Sequence, residues 1–282
     1  MKLISILDQL AATPAAPAPR RALLAQLGRA AVAALPLGTA AALPTAAAPT
    51  DTSFDAVAQL LQLERTQVAL YTQGLAAPGL IPAAQTADFQ RLLAHQTQHA
   101  ALLLKAIQDA GAIAQALPRF DFSGRHSVAT NPELFPAVLT SYDAFLALAQ
   151  QLEDLGVRLY KTQAFTISDP QLLRAALRIH AVEAEHSAHI RGLRKGRGAV
   201  VQHWPSEEDA AIVRPTAAQV LTTAATGGEE TGVQYVTPGV PVPFASFLLI
   251  STNTAIHDPA LAEAFDEPVS STVAQAALNL FV

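Results

Sequence analysis

Residues 111–130, GAIAQALPRFDFSGRHSVAT, separate two segments that carry the apolar spacing of long helices. The stretch holds Pro118 and Gly124, which disfavour a continuous helix, together with the aromatic residues Phe120 and Phe122. Helices that are neighbours in a bundle are usually joined by about two to eight residues. A connection of about twenty residues is long enough to run the length of a bundle, so it predicts one crossover between antiparallel helix pairs.

Helical periodicity with start and stop signals predicts four long helices. They cover about residues 53–73, 84–110, 131–165 and 168–196. Gly74 follows the first, Asn131-Pro132 opens the third with a cap and a proline at the first helical position, and Asp169-Pro170 opens the fourth in the same way. The first and last connections are short, so the order short–long–short favours a four-helix bundle with one crossover over a plain up-and-down bundle.

Composition excludes several classes of protein. Apolar residues make up 51% of the 282 residues, the net charge is −5 and the pI is near 5.9, so a basic nucleic-acid-binding surface is not expected. The sequence has no cysteine, which excludes disulfides, thiolate metal ligands and thiol catalysis. Histidines and carboxylates are therefore the expected strong metal ligands.

Residues 1–48 differ from the rest and predict an export signal with a tail. Arg20-Arg21, a weakly apolar run and small residues resembling A-x-A cleavage sites follow one another. The arginine pair resembles a twin-arginine signal, although Pro19 replaces the usual serine. The run is too short and broken to span a bilayer. We therefore expect a periplasmic or secreted protein, with no transmembrane segment in the mature chain; the alternative is a disordered Ala/Pro-rich tail of a cytosolic protein.

Residues 198–282 predict an accessory region packed on the bundle that residues 52–197 form. Prolines and a glycine pair divide it into short pieces, and residues 215–225, 243–250 and 270–280 have the pattern of short helices. An alternative is a partner-binding module. It would use apolar residues that we instead expect to pack on the bundle: Phe244, Phe247, Leu248 and Leu249.

Two of the predicted helices carry a motif with metal-ligand spacing. The fourth contains Glu183-Ala184-Glu185-His186, and the second contains Gln96-Thr97-Gln98-His99. An i, i+3 spacing places both side chains on one face of a helix. Dimetal sites in helical bundles take a Glu-x-x-His pair from each of two helices and one Glu from each of the other two.

The other two helices each supply one acid with apolar neighbours. Glu64 follows Leu63, and Glu153 follows Leu152. A buried acid needs a partner, which favours a functional role for both. One turn before His99, His95 is a further candidate ligand that would partly compensate for Gln96.

The chain resembles the bacterial ferritin-like domain proteins related to plant desiccation-related proteins. The resemblance covers most of the mature region and rests on several short motifs. These are Leu63-Glu64 with Tyr71, Phe120-Asp121-Phe122, Leu152-Glu153-Asp154-Leu155-Gly156-Val157 with Tyr160, Glu183 to His186, and Ala264-Phe265-Asp266-Glu267-Pro268 with Phe281. The resemblance implies an all-α, ferritin-like four-helix bundle and a di-iron centre. Most of that family has no assigned reaction, so no substrate is implied.

The predicted metal ligands are Glu64, His99, Glu153, Glu183 and His186, with Gln96 and His95 as further candidates and Tyr71 or Tyr160 as hydrogen-bonding partners. Oxygen-rich ligands with imidazole suit iron or manganese. Gln96 lies where the family pattern expects a bridging glutamate. Gln67 lies where the family often has a second acid. Three carboxylates then face the four positive charges of two divalent ions. The outcomes left open are a weakened dimetal site, a single metal, or a pocket held by hydrogen bonds.

The sequence therefore predicts an exported ferritin-like protein with an incomplete carboxylate/histidine dimetal site and an oxidase or ferroxidase-like role. The alternative is a non-enzymatic stress or desiccation-related envelope protein with a degenerate site. No side chain is assigned to catalysis, a homo-oligomer is left open, and no substrate is predicted.

Overall fold

The computed structural model describes residues 52–226, Glu263 and residues 268–282. This part of the chain is all-helical and contains no strand. Its helices are α1 (Thr52–Ala76), α2 (Thr86–Asp109), α3 (Tyr142–Ala164), α4 (Pro170–Gly196), α5 (Gln219–Ala225) and α6 (Ser271–Leu278), with 3₁₀ turns at Ala83–Gln85, Thr216–Ala218 and Asn279–Phe281. The predicted export signal, the predicted helix over residues 243–250 and its apolar residues lie outside the described residues.

The four long helices form the predicted bundle. Helix α1 packs on α2 and on α3, and α3 packs on α4. The core between them is built from fully buried side chains that include Leu60, Leu70, Leu103 and Leu152. Burial of such side chains stabilises the fold by about 1.5–3 kcal/mol each. The fold class is therefore the predicted all-α bundle, with the long connection between α2 and α3.

Gly74 does not end the first helix as predicted. It lies inside α1, which continues to Ala76. A Cβ at position 74 would lie 2.4 Å from the ring of Phe145 on α3. The glycine therefore serves the close approach of α1 to the aromatic ring of Phe145, and the sequence signal for a helix end was wrong here.

The third helix begins at Tyr142, and the predicted start at Asn131-Pro132 is wrong. The hydroxyl of Ser141 caps the helix by accepting from the backbone N–H of Ala144 at 3.4 Å. The backbone N–H groups of Leu134 and Phe135 donate to the carbonyl of Ser123, at 2.9 and 3.2 Å. Both side chains are buried, so this segment is anchored to the crossover and cannot begin a helix.

The fourth helix begins and ends as predicted. The carboxylate of Asp169 accepts from the backbone N–H groups of Gln171 and Leu172, and Pro170 is the first helical residue. Arg194 and Lys195 lie in the last turn, where cations interact favourably with the helix dipole.

Arg191, in the last third of α4, is buried and forms an ion-pair cluster. Its guanidinium makes a two-point ion pair with Asp154 of α3, with Nε–Oδ1 3.0 Å and Nη2–Oδ2 2.7 Å. It also contacts Asp209 at 2.5 Å. Arg191 and Asp154 are both buried, so this cluster ties α3 and α4 to the segment after α4.

Two short helices after the bundle pack on α1 and α3. The guanidinium of Arg158 donates to the carbonyls of Thr223 and Ala224 at the end of α5, at 3.2 and 2.7 Å. The amide of Gln59 on α1 donates to the carbonyl of Ser271 at the start of α6, at 2.7 Å. The predicted helices over residues 215–225 and 270–280 are thus present.

Aromatic packing closes one end of the bundle. Phe281 is fully buried and stacks on Phe135 of the crossover at a centroid distance of 4.9 Å. Phe122 lies 5.5 Å from the same ring. Among the described helices, none is long and apolar enough to cross a membrane.

Candidate metal centre

Three glutamates lie at the centre of the bundle, one on each of three helices. Glu64 comes from α1, Glu153 from α3 and Glu183 from α4, and each side chain is fully buried. A buried carboxylate without a partner is strongly unfavourable. Three of them side by side require compensation by protons, by donors or by cations.

Two histidines supply part of that compensation. Nδ1 of His99 lies 3.4 Å from Oε2 of Glu64 and 3.4 Å from Oε1 of Glu183. Nδ1 of His186 lies 3.5 Å from Oε2 of Glu153 and 3.5 Å from the same Oε1 of Glu183. One oxygen of Glu183 is therefore shared by two groups of three ligands, Glu64–His99–Glu183 and Glu153–His186–Glu183.

The atoms that face the centre lack hydrogen bonds within the described part of the chain. Oε2 of Glu64, Nδ1 of His99, Oε1 of Glu183 and Nδ1 of His186 are all buried and have no hydrogen-bond partner there. Buried polar atoms are nearly always paired. Four unpaired atoms that point at one space are the pattern of a ligand set.

Their spacing also suits a metal. Ligand atoms about 2.1 Å from one ion lie roughly 3.0 Å apart at octahedral angles and about 3.4 Å apart at tetrahedral angles. The observed separations of 3.4 and 3.5 Å are too long for good N–H···O hydrogen bonds. The residues present therefore fit one or two ions held by imidazole nitrogen and carboxylate oxygen, a donor set that suits iron or manganese.

Two tyrosines hold the outer oxygens of two glutamates. The hydroxyl of Tyr160 on α3 donates to Oε1 of Glu64 on α1 at 2.5 Å. The hydroxyl of Tyr71 on α1 donates to Oε1 of Glu153 on α3. Each bond leaves Oε2 of the same carboxylate facing the centre. Tyr71 and Tyr160 thus orient the carboxylates, as the sequence predicted for hydrogen-bonding partners.

Two further residues shape the position of Glu183. The amide of Gln67 donates to Oε2 of Glu183 at 3.0 Å and to the carbonyl of Leu152 at 3.3 Å. A Cβ at Gly156 would lie 2.4 Å from Oε2 of Glu183. The sequence pattern indicates Gln67 only as a missing acid and assigns no role to Gly156. A glycine inside a helix that also carries Glu153 is the one sequence signal for this close contact.

The two remaining candidates lie beside the ligand set. Nε2 of Gln96 approaches both oxygens of Glu153, at 3.4 and 3.5 Å, and Oε1 of Gln96 is buried without a partner in the described region. Nδ1 of His95 lies 3.0 Å from Nε2 of His186, on the side away from the centre. The structure therefore brings together all five predicted ligands, places Gln96 at the edge of the centre, and places His95 behind His186.

The surroundings change the pKa values of the ligands in opposite directions. Burial, and then the charge of Glu183, raises the pKa of Glu64 to about 8 and that of Glu153 to about 7. Burial also disfavours the charged form of Glu183, but the contacts with His186 and His99 outweigh it and hold its pKa well below the usual range.

The histidines respond to the same contacts. Burial lowers the pKa of His99, but Glu183 and Glu64 outweigh it and raise the pKa to about 9. Glu153 and Glu183 likewise outweigh burial and raise the pKa of His186 to about 10. Burial raises the pKa of both tyrosines well above the usual value, so the phenols keep their protons and donate. Without a metal, protons on these groups therefore balance the charge of the carboxylates.

Comparisons with known proteins agree with this geometry. No curated protein matches the sequence significantly. The model of the ferritin-like domain family matches residues 52–196, which begin with α1 and end with α4. That segment contains all the residues of the centre described above. The chain belongs to the ferritin-like domain family.

Proposed function

We propose that this chain is a metal protein that holds two divalent ions, iron or manganese, and acts as an oxidase or ferroxidase. The observation that carries the proposal is the position of Glu183. Its Oε1 lies 3.4 Å from Nδ1 of His99 and 3.5 Å from Nδ1 of His186. A single carboxylate thereby links two sets of ligands.

The side chains have separate tasks in the proposed centre. Glu64 and His99 would hold one ion, Glu153 and His186 the other, and Glu183 would bridge them. Tyr71 and Tyr160 keep the terminal carboxylates oriented. Nδ1 of His99 and Nδ1 of His186 must each lose a proton when they bind metal, because only an unprotonated ring nitrogen is a ligand. Bound iron or manganese would supply the electron transfer to dioxygen that such chemistry needs.

The first test is the metal content of the protein. The full-length chain is incubated with Fe²⁺ without oxygen, freed of excess metal and analysed by mass spectrometry. We expect between one and about two equivalents per chain. Glu183→Gln should lose most of the bound iron, whereas the matched control Glu185→Gln, on the exposed side of α4, should keep it. Less than about a tenth of an equivalent in the unchanged protein would contradict the proposal.

The second test separates the enzyme from its alternative. Admission of oxygen to the iron-loaded protein should oxidise Fe²⁺ faster than in free solution, and Glu183→Gln should lose this acceleration. Gln67 and Gln96 at the expected acid positions favour the alternative, a non-enzymatic stress or desiccation-related protein. Metal that is bound but oxidised no faster than free Fe²⁺ supports that alternative.

We further propose that the chain is exported to the periplasm or beyond and belongs to the desiccation-related subgroup. Arg20-Arg21 and the small residues after them support export. The protein should appear in the periplasmic or culture fraction as a chain shortened by up to about fifty residues. Arg20→Lys with Arg21→Lys should retain it in the cytoplasm at full length.

A further inference from the structure

We infer that His95 is a positioning residue for the metal centre: it accepts a hydrogen bond from Nε2 of His186, so that the proton of neutral His186 stays on Nε2 and Nδ1 is the nitrogen that binds metal. The inference rests on the proposed function and deepens it. It assigns His95 a task different from that of a ligand.

The contact itself is well defined. Nδ1 of His95 lies 3.0 Å from Nε2 of His186, and the planes of the two rings differ by 16°. The side chain of His186 is 5% exposed, so Nε2 depends on a protein partner. His95 is only partly buried.

The direction of the hydrogen bond between His95 and His186 follows from the position of the other ring nitrogen of His186. Nδ1 of His186 faces Glu153 and Glu183 at 3.5 Å. A neutral imidazole carries one proton, and the nitrogen that holds it cannot bind a metal. If His95 donated its proton to Nε2 of His186, the proton of neutral His186 would sit on Nδ1 and block the centre. A metal-binding His186 therefore needs His95 as an acceptor.

The position of His95 replaces a more common arrangement. A metal-binding histidine usually donates its second N–H to a carboxylate, a backbone carbonyl or water, and loss of that partner weakens metal binding by about 10–100-fold. Here a neutral imidazole accepts the bond. It fixes the ring without adding a fourth negative charge next to the three glutamates.

The bond can be tested without any metal. In protein labelled with ¹⁵N at histidine, we expect a scalar coupling across the hydrogen bond between Nε2 of His186 and Nδ1 of His95. The shared proton should show its one-bond coupling to Nε2 of His186. Absence of the coupling, or a proton attached to Nδ1 of His95, overturns the inference.

Substitution tests the consequence for metal binding. His95→Leu removes the acceptor and should lower the affinity for Co²⁺, followed by its visible absorption, by about 10-fold or more. His95→Asn places an amide oxygen close to the position of Nδ1 and should restore the affinity to within about threefold. His189→Leu is the matched control, because His189 lies on α4 three residues after His186 but pairs with Asp88, at 3.8 Å, which is outside the ligand set.

The outcomes separate this inference from the proposed function. If the unchanged protein binds Co²⁺ and His95→Leu binds it equally well, or if His95→Asn is as weak as His95→Leu, the inference is wrong and the metal centre stands. If the unchanged protein binds neither Co²⁺ nor Fe²⁺, the proposed function is wrong, and with it the positioning role of His95.

Discussion

Gly156 is the residue at which the centre depends on the absence of a side chain. A Cβ there would lie 2.4 Å from Oε2 of Glu183 and 3.4 Å from Nε2 of Gln67. Both atoms belong to the hydrogen bond that orients Glu183. Alanine at this position therefore has to push the carboxylate of Glu183 away from α3.

Gly156→Ala should weaken Mn²⁺ binding by about tenfold or more, because the supporting contacts of a ligand contribute that much to affinity. The helix itself gains, since alanine is favoured over glycine by up to about 1 kcal/mol inside a helix. Titration calorimetry measures the affinity. Gly196→Ala, where nothing lies within 4 Å of the added Cβ, is the matched control and should leave binding unchanged.

Gln96→Glu should restore the missing acid. A fourth carboxylate beside Glu153 offsets the charge of the second ion, so we expect Mn²⁺ to bind about tenfold more tightly or in higher stoichiometry. The metal-free variant should melt at a lower temperature, because a buried acid is added without a partner. The control is Gln98→Glu, on the exposed side of α2. An unchanged affinity in Gln96→Glu would show that the amide is not what limits binding.

At this scale the sequence predicts which residues bear the chemistry but not how they are held. In the sequence, Glu64 and Glu153 are polar residues among apolar ones on a helix. The ligands His99 and His186 each end a motif with i, i+3 spacing. The donor role of Gln67 and the space left by Gly156 depend on distances between helices. No pattern within one helix contains those distances.

The start of α3 shows the same limit for a whole element. Asn131-Pro132-Glu133 has every local signal of a helix start, yet the helix begins after Ser141. The N–H groups of Leu134 and Phe135 donate to Ser123 instead. Contacts with a distant part of the crossover outweigh the local preference. At α4 the N–H groups of Gln171 and Leu172 donate to Asp169, and Asp169-Pro170 starts the helix as predicted.

Ser141→Ala should lower the free energy of unfolding by about 0.5–2 kcal/mol, the usual effect of removing a cap hydroxyl. Asn131→Ala should change it by less than about 0.5 kcal/mol, because Asn131 is exposed, caps no helix and makes only an exposed hydrogen bond to the carbonyl of Arg125. Urea denaturation followed by circular dichroism measures both. A larger loss in Asn131→Ala than in Ser141→Ala would contradict the observed helix start.

For the whole molecule, the free energy of unfolding should depend on pH because the residues of the metal centre titrate differently in the folded and unfolded chain. Burial raises the pKa of Glu64 to about 8, and the contacts with the glutamates raise that of His99 to about 9. At a pH above the ordinary pKa values of these groups, the folded metal-free protein therefore holds protons that the unfolded chain has already lost. Its stability is therefore highest in mild acid and is lost as the pH rises through the raised values.

We expect the melting temperature of the metal-free protein to fall between about pH 6 and about pH 8. Bound Mn²⁺ replaces the protons, so the stabilisation by metal should grow over the same range. Calorimetry with chelator and with Mn²⁺ measures both. Glu64→Gln should flatten the metal-free profile, because the amide does not titrate. A metal-free melting temperature that rises over this range would contradict the assignment.

The exchange of tyrosine contacts between α1 and α3 has a consequence for the two halves of the bundle. Glu64 and Tyr71 are seven residues apart, and so are Glu153 and Tyr160; each glutamate accepts from the tyrosine of the other helix. The helix pairs α1–α2 and α3–α4 thus repeat one pattern. They differ where Gln96 corresponds to Glu183 and where Gln67 corresponds to Gly156. The two sets of ligands are therefore matched in carboxylates but differ in their surroundings, so two ions bound there would be chemically distinguishable.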